Sequence, residues 1–164
     1  MLTAKEQGQL VRLMRKAEFP LPREVFNAWC ENFTVPCIEL AIVRKTMNDR
    51  ELFLTYREDE FYKGWHIPGA VIQPGEKVED VFERISRDEL QGAKCAARFF
   101  TWLEYLKGTG EGQSARGHTI ALIFSADAPE MLRESNHAKF FPLSKIPGDL
   151  ISEHMPIVKV LRKM

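Results

Sequence analysis

The residues whose types and spacing could do chemistry gather in one stretch: Trp65-His66-Ile67-Pro68-Gly69-Ala70, then Gly75-Glu76, then Phe82-Glu83-Arg84-Ile85-Ser86-Arg87-Asp88-Glu89-Leu90. This reads as a strand, a glycine turn and a helix carrying acids. On a helical wheel, Glu89 lies about 40° from Ile85 and Asp88 about 60° to the other side. Glu89 therefore borders the apolar stripe made by Val78, Val81, Phe82 and Ile85. A carboxylate in that position is costly without a partner, and the partner is either a salt bridge or a hard cation. The glycine turn favours the cation, because amides and carbonyls at glycine approach an ion or a phosphate closely. Mg²⁺ needs only one or two carboxylates beside backbone, water and phosphate oxygens. Arg84 is spaced to pair with Glu76 and brace the loop. Far downstream, His137 follows Glu134-Ser135-Asn136 on a polar loop. There it is either a group that activates water or a plain solvated histidine. His66, His118 and His154 have no comparable context.

These residues need elements to hold them. Leu10, Leu13 and Met14 fall at helical spacing, which predicts a helix over Thr3–Lys16, and a second helix follows over Pro22–Asn32. Val35–Val43 and Leu52–Tyr56 predict a hairpin turning at Asn48-Asp49-Arg50. A third strand, Ile67–Ile72, is broken at Gly69, and the acid-bearing helix covers Glu76–Leu90. Ala96–Leu106 and His118–Ser125 read as long strands, Phe140–Leu143 as a short one and Ile151–Leu161 as a closing helix. Strands and helices mix without strict alternation, which predicts an α/β or α+β sandwich around a mixed sheet.

With 164 residues, 45% of them apolar and 28% charged, the chain reads as one soluble domain over residues 1–164. Its 23 basic residues balance its 23 acidic ones, so no overall field favours nucleic acid or an anionic membrane as a partner. Cys30, Cys37 and Cys95 are odd in number and lack metal-site spacing, which suits reduced thiols and a cytoplasmic location. The start of the chain has no leader pattern, and no apolar run reaches membrane-spanning length.

The central stretch resembles a Nudix box, G-x5-E-x7-R-E-U-x-E-E-x-G-U, laid from Ala70. Glu76 and Arg84 match it, and Asp88 and Glu89 hold the paired acids. Ala70, Ile85, Ser86 and Gln91 depart from it. The resemblance implies a Nudix-type α/β/α sandwich with a mixed sheet, with residues 1–33 as an added helical segment and 34–164 as the core. Core packing is the default expectation for that segment, with site capping or a homodimer interface as its other roles. Ile85 replaces a glutamate and can neither ligate nor abstract a proton, which disfavours attack on phosphorus with several metals.

Within that superfamily the helix is most similar to the GDP-mannose mannosyl hydrolases, which also place an aliphatic residue after the arginine. This resemblance, over roughly Thr34–Leu143, implies hydrolysis of a nucleotide sugar at the sugar carbon with one Mg²⁺, for which Mn²⁺ can substitute. It implies Gly69 (through its carbonyl), Glu89 and Asn136 as metal ligands, with Asp88 as a further one. Arg57 and Arg84 would hold the diphosphate, and His137 would be the general base. Glu39 falls one residue out of step with the family's first-strand acid, and one residue reverses the side of a strand. Two other readings are a pyrophosphatase whose metal site adds Glu104 or Glu111, and a domain that binds a nucleotide or sugar without turnover.

Overall fold

The structure is a computed structural model that describes residues 2–47 and 49–163. Two helices, α1 (Ala4–Met14) and α2 (Arg23–Asn32), precede β1 (Val35–Lys45), β2 (Arg50–Glu58), β3 (Lys63–His66) and β4 (Gly69–Val71). Helix α3 (Val78–Glu89) follows, then β5 (Arg98–Lys107), β6 (Gln113–Ser114), β7 (Thr119–Asp127), β8 (Ala138–Pro142) and α4 (Met155–Leu161). The sheet runs β3-β2-β1-β7-β5-β6, with β4 on β1 and β8 on β2. β1 and β7 are parallel, and β1 pairs antiparallel with β2 and β4. The expected mixed sandwich is the observed one. Asn48, at the expected hairpin turn, lies outside the described residues.

Each face of the sheet carries its own core. Ile38, Leu40, Ile42 and Phe53 pack with Val81, Ile85 and Leu90 on the α3 side. Cys37, Ala41, Leu52 and Leu54 pack with Ile157, Val158 and Leu161 on the α4 side. Ile85 is 1% exposed, so where the box calls for an acid this chain has a core residue, worth about 1.5–3 kcal/mol in burial. Even positions of β1 thus face α3 and odd ones face α4, which assigns Glu39 to the α4 side.

Two elements differ from expectation. The strand expected over Ile67–Ile72 is reduced to β4, which begins at Gly69 instead of breaking there, while a separate strand, β3, ends at His66; Pro68 between them has no N–H to donate, although its carbonyl accepts from Leu40 N at 2.8 Å. The amino-terminal segment is not core: α1 buries no residue and α2 buries only Cys30. The two core clusters draw on α3 and α4, and α1 contributes to neither. Among the described residues, no helix is long and apolar enough to cross a membrane.

Candidate functional site

Gly69 is the pivot. In the β1–β4 register Glu39 faces Gly69, while Leu40 N and Ile72 N bond to Pro68 O and Pro36 O. Ile38 and Ala70 therefore form the hydrogen-bonded pair, and the N–H and C=O of Gly69 both point away from β1. The N–H finds Glu89, which accepts it at Oε1 over 3.1 Å. Glu89 Oε2 accepts the Thr55 hydroxyl at 2.7 Å, and Thr55 Oγ1 also lies 3.0 Å from His66 Nε2. A hydroxyl has one proton, spent here on Glu89, so His66 donates from Nε2. His66 Nε2 is also 3.4 Å from the carboxylate. Burial pushes the Glu89 pKa up against these hydrogen bonds, and burial lowers that of His66 to about 4.

On the other side of Gly69 lies Glu39. A Cβ on residue 69 would stand 2.5 Å from Glu39 Oε2, so the missing side chain is what lets this carboxylate reach the strand edge. Glu39 sits on the α4 face of β1, and the glycine opposite it makes room for its carboxylate. Glu39 Oε2 is buried with no hydrogen-bond partner, 3.7 Å from His154 Nδ1, which is equally unpartnered. Burial first, then the charges of Glu153 and Glu89, hold the Glu39 pKa well above the usual carboxylate range. Burial likewise raises that of Glu153, whose Oε2 accepts the Tyr62 hydroxyl at 2.8 Å.

Two concavities meet at Gly69 and Arg57. A cleft of about 440 Å³ holds Thr55, Arg57, His66, Asp88, Glu89 and His137. A second cavity, about 410 Å³, lies between α2 with the linker before it and the sheet, with Glu39, Arg57, Arg116 and Glu153 on its walls.

Comparison with solved structures places this arrangement. The NUDIX domain of Shewanella oneidensis NrtR, complexed with ADP ribose, matches with a TM-score of 0.60 at 14% identity, over 87% of this chain and 98% of that one. A possible asymmetric diadenosine tetraphosphate hydrolase from Jonesia denitrificans gives 0.65 at 15% identity, over 81% and 95%. The Ap4A hydrolase of C. elegans gives 0.54 at 19%, over 80% and 96%. The chain has the Nudix fold. At such identities the likeness is one of fold, and no family profile and no curated protein matches the sequence.

On this Nudix fold the sequence-predicted residues divide. Glu89, Asp88, Gly69, Arg57 and His137 line one cleft. Asn136 does not join them. Ser135 and Ala138 exchange backbone hydrogen bonds, so Asn136 and His137 are the central pair of a tight turn. His137 turns toward the cleft, 6.2 Å from the Tyr56 ring between centroids, while Asn136 is exposed and lines neither concavity. Arg84 reaches the wall of the second cavity but is committed: it grips Glu76 at 2.9 and 2.8 Å and the Val71 carbonyl at 2.6 Å. Glu104 bonds His118 and Glu111 bonds Lys159, both on the outer surface and away from Gly69. Gln91, which stands where the box has its last glycine, still takes φ 55°, and so preserves the glycine's left-handed turn without the glycine.

Sequence reasoning missed Glu39, Thr55, His66, Arg116 and Glu153. The one local signal was Gly69 itself, since a glycine inside a strand marks a close approach.

Among the described residues, no group of three or more His, Cys, Asp or Glu side chains is arranged to hold a metal ion. The donors around Gly69 nevertheless fit a hard divalent cation. They are the Glu89 carboxylate, an outward backbone carbonyl and the unpartnered Glu39 oxygen, all of them oxygens.

Proposed function

We propose that this chain is a Mg²⁺-dependent Nudix hydrolase that cleaves a nucleotide sugar, of the GDP-mannose kind, into nucleoside diphosphate and free sugar. The observation that carries the reading is the cleft itself. It sets His137 on a wall shared with Glu89 and Gly69, while Ile85 is sealed in the core and offers no acid. Glu89 and the Gly69 carbonyl, with Glu39 beside them, would hold the cation. When bound, it supplies charge neutralisation that lets the diphosphate leave without protonation.

The chain's own groups do the rest. Arg57 borders both concavities and holds the diphosphate at their junction. His137 takes a proton from water as the water oxygen bonds to the sugar carbon. The carbon–oxygen bond to phosphate breaks, and its electron pair leaves with the diphosphate. One base suffices because the leaving group needs no acid, unlike the paired carboxylates of most inverting glycosidases. A Nudix domain of the same fold binds ADP ribose, which supports a sugar-bearing nucleoside diphosphate as the ligand.

One observation favours a second reading, cleavage between phosphorus atoms. Glu39, Glu89 and Glu153 lie close enough for the latter two to raise the Glu39 pKa, so acids beyond Glu89 stand near Gly69 although Ile85 offers none. The test of the leading reading is turnover of a nucleotide-sugar panel with Mg²⁺ or Mn²⁺. Free sugar and nucleoside diphosphate are expected, with loss of activity in chelator and recovery on adding metal. Nucleoside monophosphate as product would support the second reading, and no turnover of any member would overturn both.

A further inference from the structure

The chemistry above uses only Gly69, Glu39 and Arg57 of the second cavity, where it joins the cleft, and its remaining walls are unlike those of the cleft. One side is apolar and comes from the amino-terminal segment, with Phe19, Pro20, Leu21 and Phe26. Val35 and Val71 face them from the sheet, and Gln73 and Thr119 supply polar groups at the edge. Apolar faces with a few polar edge groups are what a flat heteroaromatic ring requires, and about 410 Å³ is within the range of small-molecule sites.

One end of this cavity carries a pair of arginines fixed by a single acid. Asp59 Oδ2 accepts from Arg57 Nε at 2.6 Å and from Arg116 Nη2 at 2.9 Å. Asp59 Oδ1 accepts the backbone N–H groups of Phe61 and Tyr62 at 2.9 and 3.0 Å, so the carboxylate is saturated and held in place. Arg116 lies 5.4–5.7 Å from the rings of Phe26, Phe61 and Tyr62, its side chain 20% exposed and its Nε buried with no acceptor. An arginine so enclosed has donors left over, in a planar fork suited to phosphate. Glu153, on the same cavity wall, is occupied by the Tyr62 hydroxyl. The roof and the Arg116 loop are also locked together. A Cβ on Gly117 would stand 1.9 Å from Cys30 O at the end of α2, so only glycine permits this approach.

We propose that this cavity is the nucleoside subsite: the base lies under Phe26 and the α1–α2 linker, and Arg116 with Arg57 grips the base-side phosphate. The amino-terminal segment is then a specificity element, and the sugar end of the ligand extends past Arg57 into the cleft. This rests on the nucleotide-sugar reading, and the test separates the two. Calorimetric binding of GDP, ADP and UDP is measured on the full chain and on Arg116→Gln, Arg116→Lys and Phe26→Ala, each checked by thermal melting. Wild-type binding of at least one diphosphate is expected, weakened about tenfold or more in Arg116→Gln and in Phe26→Ala, a loss of about 1.4 kcal/mol or more. Arg116→Lys should recover only part of the loss, because lysine lacks the fork. With nucleotide sugar, KM should rise while kcat holds. Tight wild-type binding left unchanged in both Arg116→Gln and Phe26→Ala overturns the subsite alone. No wild-type binding of any diphosphate overturns the nucleotide-sugar reading with it. If Arg116→Gln melts early, Phe26→Ala on the surface helix decides.

Discussion

The loop and helix from Glu76 to Glu89 and the cavity beneath α2 both present arginines and acids, and they use them in opposite ways. In the loop and helix, Arg84 is fully engaged with Glu76 and Val71, while Glu89 is held by Thr55 and Gly69 through one hydrogen bond at each oxygen and keeps lone pairs for a cation. On the cavity wall, Glu39 Oε2 and Arg116 Nε have no partner, and neither does His154 Nδ1 behind Glu39. A satisfied network holds a shape, whereas buried groups left unpaired cost free energy and persist where they serve something else. The difference teaches that the box arginine acts here as a brace, while the arginines outside the box keep the donors that the proposed recognition needs.

The largest expected effect concerns the one acid of the helix that faces Gly69. Glu89→Gln keeps the hydrogen bond from Thr55 but loses the charge, and kcat/KM should fall by about 10³-fold or more, read in steady-state kinetics with melting as the control for folding. Next comes His137, exposed on its turn: His137→Ala should lower kcat by about 10²–10⁴-fold and leave Tm within about a degree. A fall in KM alone would remove it as the base.

Arg84→Ala sharpens the contrast between brace and clamp. It strands Glu76 and the Val71 carbonyl at a part-buried site, and should cost about 1–3 kcal/mol of stability, or roughly 3–10 °C in Tm for a chain of this size. Chemical denaturation would show whether the arginine acts through folding. An unchanged Tm with a raised KM would return Arg84 to the substrate.

The smallest effect is a pH dependence on the cavity side. Burial raises the Glu153 pKa above the ordinary glutamate value of 4.5. Below that value both folded and unfolded states carry the proton. As pH rises, the unfolded chain ionises first, so the raised folded pKa costs stability progressively until the folded group also ionises. Glu153→Gln keeps an acceptor for Tyr62 and removes this cost. Its Tm advantage over wild type, measured without metal, should widen from pH 5 to pH 8. A gap that closes with rising pH would contradict the assignment.

What the sequence revealed follows the same divide. Helix α3 was legible because its stripe, its acids and Arg84 are near neighbours whose spacing fixes a face. β1, β2 and the closing helix were legible for similar reasons. Glu39, Arg116 and Glu153 were not, because they come from β1, the loop before β7 and the turn before α4, spread over more than a hundred residues, and only the folded chain brings them to one cavity. Glu39 shows the difficulty most clearly: the room it needs to reach the strand edge comes from Gly69, thirty residues on. Asn136 lies outside both concavities for a smaller reason, since adjacent residues of a tight turn diverge and spacing in sequence does not say which one turns inward.

The central claim is that the bond broken lies between sugar carbon and phosphate oxygen, with water activated from the His137 side of the cleft. Hydrolysis of a turned-over nucleotide sugar in ¹⁸O-labelled water with Mg²⁺, read by mass spectrometry, tests it most directly. The account predicts the label in the free sugar and none in the nucleoside diphosphate. Label in a phosphate of the product would contradict it and shift the chemistry to the acids around Gly69.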